Sequence, residues 1–388
     1  MVDPYSGREQ TKAKHFILKR YLQALAFKVL TFSDITFVDG FSGPWETQTE
    51  DFADSSFMIA IEVLRDAQQK VLAQTGKRRK IRCFLSENNP KAFAKLTAAV
   101  ATFNKPEEDF EIKTFGGDFE DAVSEIRTFV GRSFPLIFID PTGWTGYAFD
   151  KIRPLFDRPK CEVVINFMYD FVNRAASMSD AKTIASLAPI LGGPNWEQRL
   201  DLNLPRGRAI EKLFRDTLRG AGGFEFVVST KIDRSTADRP HFFIAYGTKS
   251  EDGLKTFRET EYAALRVHAR DRADAKARKR EEKTGIGDLF VGMEGDVHEL
   301  SIDGIVEEHK ALASEDLLAS LKEHGAMKFA RVWALLLEPY MLRVTNVKDI
   351  CVTLAKTGQI KNSWGGGNRK PRDEDLVELA AATGDQCD

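Results

Sequence analysis

Apolar residues recur along this chain with two alternating periods. Over residues 9–30 they fall at helical spacing: Ile17, Leu18, Tyr21, Leu22, Leu25 and Val29. A continuous apolar run then spans Ile35–Asp39 and stops at Gly40-Phe41-Ser42-Gly43-Pro44-Trp45. This is the pattern of a parallel strand buried on both faces and ending in a tight loop. Ser55 or Ser56 caps a second helix through Met58, Ile61, Val63 and Leu64. The alternation repeats: strands at residues 80–86, 110–114, 135–140 and 161–167, with helices at 91–103, 148–156 and up to about 191. After a turn at 192–196 and a helix over 206–219, strands at 224–230 and 241–248 are joined by a short polar segment, which predicts an antiparallel edge hairpin. The reading is an α/β domain with a mixed seven-stranded sheet.

Four acids stand where these strands end, which is where open α/β sheets bind ligands. Asp39 meets the glycine loop, where backbone can approach a ligand and the carboxylate can take a hydroxyl or ammonium. Glu87 closes the second strand; it either grips ribose hydroxyls or serves the N-terminus of the helix opened by Asn88-Asn89-Pro90. Asp118 follows Gly116-Gly117 at the third strand, placed to read an adenine amino group. Asp140 ends the most apolar strand and is followed by Pro141-Thr142-Gly143-Trp144. There Asp140 can accept from an amine or hydroxyl, Pro141 stiffens the turn, and Trp144 either stacks on a base or packs as a turn residue. About ten residues separate the first glycine loop from its helix, so a cradle for pyrophosphate at a helix N-terminus is disfavoured.

Composition narrows the class. The chain has 388 residues, 43% hydrophobic and 29% charged, with net charge -2, so any polyanion must be met by local patches. The length suggests two domains. Cys83, Cys161, Cys351 and Cys387 have no paired spacing, which argues against a zinc site or disulfide framework. No run is apolar enough to span a membrane and the start lacks a signal peptide's hydrophobic stretch, so the expected location is the cytoplasm, without a membrane partner. Lys12, Lys14, Lys19, Arg20 and Lys28 read as the solvated face of the first helix in preference to a functional basic face.

The boundaries expected are an α/β domain over 1–262, a charged connecting helix over 263–284, and a mostly helical domain over 285–388. In the last, helices begin at Ser314, Met327 and Thr345, the third being capped by Gly358. A strand, a glycine-rich tip and a basic return follow over 359–372, so the whole suggests a winged helix. Lys361, Arg369, Lys370 and Arg372 would meet phosphates, or else belong to a solvated loop of a protein-docking module. The helix at Thr345 is not conspicuously basic, which speaks against strong duplex reading.

Five β/α units closed by an edge hairpin resemble the class I S-adenosylmethionine-dependent methyltransferases, a Rossmann-like fold. More narrowly, residues 14–22, Val38-Asp39-Gly40-Phe41-Ser42-Gly43-Pro44, Phe138-Ile139-Asp140-Pro141-Thr142-Gly143-Trp144 and the segment 166–174 resemble the three-Cys-motif partner protein (TcmP) family over about residues 12–258. That resemblance implies a methyltransferase-fold protein working beside a partner that carries three cysteines. The turn at Asp140 is also similar to the Asp-Pro-Pro-Tyr turn of enzymes that methylate amino groups on adenine. This implies S-adenosylmethionine over Asp39, Phe41 and Gly43, its ribose on Glu87 and its adenine near Asp118. Asp140 would hold the amine of a nucleic-acid base lifted from its stack, Trp144 would cover that base, and no metal is required. Trp45 stands where the family's turn has glycine, and Thr142 where the amino-methylating motif has proline. Both departures bear on catalysis more than on fold, and leave a non-catalytic scaffold for nucleic acid or a partner protein as the competing reading. A metal-dependent nuclease built on the four acids ranks last, because the acids lie on separate strands.

Overall fold

The computed structural model describes residues 5–43, 47–49, 51–178, 180–284, 293–365 and 369–380. Trp45 and Cys387, both singled out above, lie outside the described residues, as does the very tip of the glycine-rich segment.

The strands form one seven-stranded sheet, β1 Ile35–Asp39, β2 Ile81–Glu87, β3 Phe110–Gly116, β4 Phe134–Ile139, β5 Glu162–Phe167, β6 Phe226–Asp233 and β7 Pro240–Thr248. Their order is β3-β2-β1-β4-β5-β7-β6. The first five are parallel, and β7 runs antiparallel to both β5 and β6. This mixed sheet with an antiparallel edge hairpin is the methyltransferase-like architecture expected.

Side chains alternate across each strand and sort the core into two layers. Ile35 and Phe37 of β1, Cys83 and Leu85 of β2 and Leu136 and Phe138 of β4 bury against α1 (Glu9–Val29), α2 (Ser56–Thr75), α3 (Pro90–Val100) and α9 (Glu251–Thr284). Val38, Phe84, Ile137 and Ile139 face the other way, toward α4 (Val123–Val130), α5 (Phe149–Ile152), α6 (Tyr169–Ala175), α7 (Ala181–Leu191) and α8 (Arg206–Gly222). Ser55 is the N-cap of α2, its Oγ accepting from Met58 N, and Gly76 ends that helix with φ +68°. At the opposite end of the strands from the acids, Glu162 is buried with Tyr21, whose hydroxyl donates to it at 2.5 Å, beside Tyr246 and Thr248.

The C-terminal part differs from the sequence reading in four ways. The charged segment from 263 is the second half of a 34-residue helix, α9, so no break in the chain marks its start. Ser314 does not begin a helix; α10 spans Met293–His324, and the Ser314 hydroxyl bonds back to the Lys310 carbonyl inside it. Met327–Lys328 is a short strand, β8, followed by α11 (Phe329–Leu337) and α12 (Val344–Lys356). Among the described residues of 359–372 no strand pairs with another of that segment; Ile360 makes one antiparallel bridge to Leu379, and β9 (Leu376–Val377) pairs with β8. The α10 to α12 apolar residues join the same buried cluster as α1 and α9. A polar lock adds to that packing. Arg258, buried on α9, pairs with Glu261 and donates to the carbonyls of Leu337 and Glu338 at the end of α11, where a cation meets the helix dipole favourably.

Candidate active site

β1 and β4 are neighbours, and connections leave them toward opposite edges of the sheet. The crevice beyond their carboxyl ends is therefore the topological switch point. A cavity of about 390 Å³ opens there. Its walls carry Phe41 and Gly43 from the loop after β1, Asp140 and Pro141 after β4, Asn166 on β5, His241 on β7, and Lys14 and His15 on α1.

Asp140 is clamped from two sides. The Lys14 ammonium meets Oδ2 at 2.5 Å, and the Asn166 amide Nδ2 donates to Oδ1 at 2.7 Å. Lys14 is thus not part of a solvated face, which corrects the sequence reading. It lies at i−3 and i−4 from Ile17 and Leu18, on the apolar stripe of α1, and that register was the signal that could have revealed it. Next to it His15 is buried, with the Tyr5 hydroxyl 3.1 Å from Nδ1. Burial, and then the adjacent Lys14, push its pKa down to about 3, so the ring is neutral.

Asp39 has no exposed surface. Its Oδ1 accepts the Phe41 N–H at 3.0 Å and its Oδ2 accepts the Ser56 hydroxyl at 2.7 Å. The carboxyl thereby ties the glycine loop to the start of α2. Burial pushes its pKa up to about 7 against the opposing pull of those two hydrogen bonds. The loop has its own packing constraint. A Cβ on Gly40 would lie 2.9 Å from the Phe119 ring, so only glycine permits this approach.

Glu87 and Asp118 come together at the mouths of β2 and β3, apart from the cavity's lining. Glu87 is buried and accepts the Asn89 N–H at 2.7 Å, while Asn89 itself caps α3 through Lys91 N and Ala92 N. The helix N-cap is therefore Asn89, with Glu87 behind it. Asp118 is exposed and accepts from the Asn88 amide at 2.9 Å. Trp144 is not among the residues that line the cavity with Asp140. Its indole donates to Ser186 Oγ on α7 at 2.9 Å, and the ring packs against the second core layer.

Lys361, Arg369, Lys370 and Arg372 are exposed on the C-terminal loop. Lys361 pairs with Glu378 at 3.2 Å and Lys370 with Asp349 at 2.6 Å, exposed pairs of the kind that contribute roughly 0–1 kcal/mol and yield to a competing anion. The buried Trp364 anchors this loop by donating to the Arg369 carbonyl at 2.8 Å.

The cavity lining offers Phe41 and Gly43 of the glycine loop to a nucleotide-like ligand, whereas Asp39 is buried behind that loop and Glu87 and Asp118 stand outside the lining. Among the described residues no cluster of His, Cys, Asp and Glu suits a metal, and no helix is long and apolar enough to cross a membrane.

No protein-family model and no curated protein matches the chain. Among solved structures, a Legionella pneumophila protein described as DUF519 aligns over 63% of this chain and 86% of its own, at 12% identity and TM-score 0.34. Loganic acid methyltransferase, solved with SAH, aligns over 78% of this chain and 92% of its own, at 8% identity and TM-score 0.28. Similarities this low carry no argument about the site, which rests on the geometry above.

Proposed function

We propose that this protein is an S-adenosylmethionine-dependent methyltransferase acting on an amino group of a nucleic-acid base, adenine in type. The observation that carries the reading is the placement of Asp140 and Pro141 at the switch point, in one cavity with the glycine loop of β1. When bound, the methyl donor's sulfonium supplies the electrophile, so the chain's own task is binding, orientation and exclusion of water. Phe41 and Gly43 would contact the donor, Glu87 its ribose hydroxyls and Asp118 its adenine. The wall formed by Lys14, Asp140 and Asn166 would orient the acceptor amine. The order helix, strand, helix, helix, bridge, loop, strand in the C-terminal part suits a winged-helix-like module, with Lys361, Arg369, Lys370 and Arg372 toward phosphates. A three-cysteine-motif protein is the protein partner this reading implies, and a cytoplasmic site of action suits the buried, unpaired Cys83, Cys161 and Cys351.

Calorimetric titration with S-adenosylmethionine and S-adenosylhomocysteine tests the reading. Micromolar binding that weakens about tenfold in Asp118→Ala, the loss of one charge-assisted hydrogen bond, supports it. Absence of heat from folded protein with either ligand refutes it in favour of the non-catalytic scaffold.

A further inference from the structure

Two residues that line the cavity at the switch point each carry a buried polar atom without a hydrogen-bond partner among the described residues, Asn166 Oδ1 and His241 Nδ1. Asn166 is only 3% exposed, so its carbonyl has forfeited water without gaining a replacement. Its orientation is fixed by chemistry. The Nδ2 group donates to Asp140 Oδ1 at 2.7 Å, and a flipped amide would set two oxygens against each other. The carbonyl therefore points away from Asp140.

Asp140, by contrast, has one strong donor on each oxygen, Lys14 on Oδ2 and Asn166 on Oδ1. Each carboxylate oxygen thus keeps one acceptor site beside the donor it already holds, whereas the neighbouring amide oxygen has no donor at all among the described residues. His241 adds a second polar atom to the same cavity. Burial, and then the nearby Arg234, push its pKa below the usual value, and in the neutral ring Nδ1 donates or accepts according to tautomer.

We propose that Asn166 Oδ1, rather than Asp140, is the acceptor that positions the target amino group, and that the Lys14–Asp140 pair serves to aim the amide. The ligand chemistry that completes the site is an exocyclic N–H donor beside a ring nitrogen, the edge shared by adenine and cytosine, with His241 available to the ring nitrogen. This rests on the nucleic-acid reading of the previous section. It differs from that reading in which residue meets the amine, and in requiring the amine for binding as well as for reaction.

The test compares two single-stranded probes of equal length, an oligoadenylate and the same oligomer built from purine riboside, which lacks the amino group. Binding is followed by fluorescence anisotropy, alongside calorimetry with S-adenosylmethionine. Wild-type protein should favour the oligoadenylate about five- to tenfold, the worth of one buried hydrogen bond. Asn166→Ala should abolish the preference. Asp140→Asn, which offers one oxygen to the two donors Lys14 and Asn166, should loosen the amide and weaken the preference. Equal or undetectable binding of the two probes by wild-type protein overturns the proposal. So does a preference that survives Asn166→Ala or is unchanged in Asp140→Asn. Because the wild-type and Asp140→Asn arms stand by themselves, poor folding of Asn166→Ala would not shelter the idea. An amine preference without any binding of S-adenosylmethionine upholds Asn166 and refutes methyl transfer. Binding of S-adenosylmethionine without an amine preference does the reverse.

Discussion

Replacing Asp39 by Asn should flatten the pH dependence of stability while keeping the fold. The Asp39 carboxyl is fully buried and holds its proton up to about pH 7, against an ordinary value of 3.8. A raised acid in the folded state means that the native protein binds more protons than the unfolded chain between those two values. Stability must therefore fall as pH rises through that window, and stop falling above the folded pKa. Working the two-state binding expression from 3.8 to about 7 gives a loss of about 2.5 kcal/mol between pH 5 and pH 8 from this one group. Asn is nearly isosteric. Its Oδ1 still accepts the Phe41 N–H, and its Nδ2 turns the Ser56 contact into a donation to Oγ. Urea denaturation of wild-type and Asp39→Asn protein at pH 5, 6, 7 and 8 measures the difference. The variant should gain on the wild type steadily up to about pH 7 and hold its advantage beyond. Parallel stability profiles would refute the reasoning, since they would mean that Asp39 titrates alike folded and unfolded.

Two further outcomes follow from the packing. A double-mutant cycle of Lys14→Met and Asp140→Asn should give a coupling of about 1–3 kcal/mol by denaturation, because both side chains are mostly buried; additive effects would mean the pair is as weak as a surface contact. Gly253→Ala should destabilise by about 2–3 kcal/mol. Its Cβ would fall 2.5 Å from both Glu162 Oε1 and the Tyr246 hydroxyl, atoms held in a buried hydrogen-bonded cluster, and an unchanged melting temperature would show that the first turn of α9 can shift.

The sequence by itself determined the sheet and the ends of its strands. Apolar runs such as Leu136–Ile139 leave one geometry open, burial on both faces, and turn-residue punctuation locates the strand ends within two residues, except that β6 runs on to Asp233. That was enough to put Asp39, Glu87, Asp118 and Asp140 at the carboxyl edge, since strand polarity alone decides it. The C-terminal helices were read less well. α10 runs through Ser314 because a serine inside a helix can satisfy its hydroxyl on the carbonyl four residues back, leaving no local mark that distinguishes it from a cap.

Only the tertiary structure decided what those residues face. Lys14 reads as one more surface lysine until α1 docks across the sheet and carries it onto Asp140, 126 residues away. Trp144 reads either as a base-stacking aromatic or as a packed turn residue, and only the fold shows its indole donating to Ser186 on α7. Asn166 is a polar residue in an apolar strand, and nothing local says whether its carbonyl is satisfied. Hydrogen-bond satisfaction of buried groups depends on partners distant in sequence, whereas strand and helix periodicity depends on neighbours. That is the physical reason the fold was legible in this chain and the wiring of its site was not.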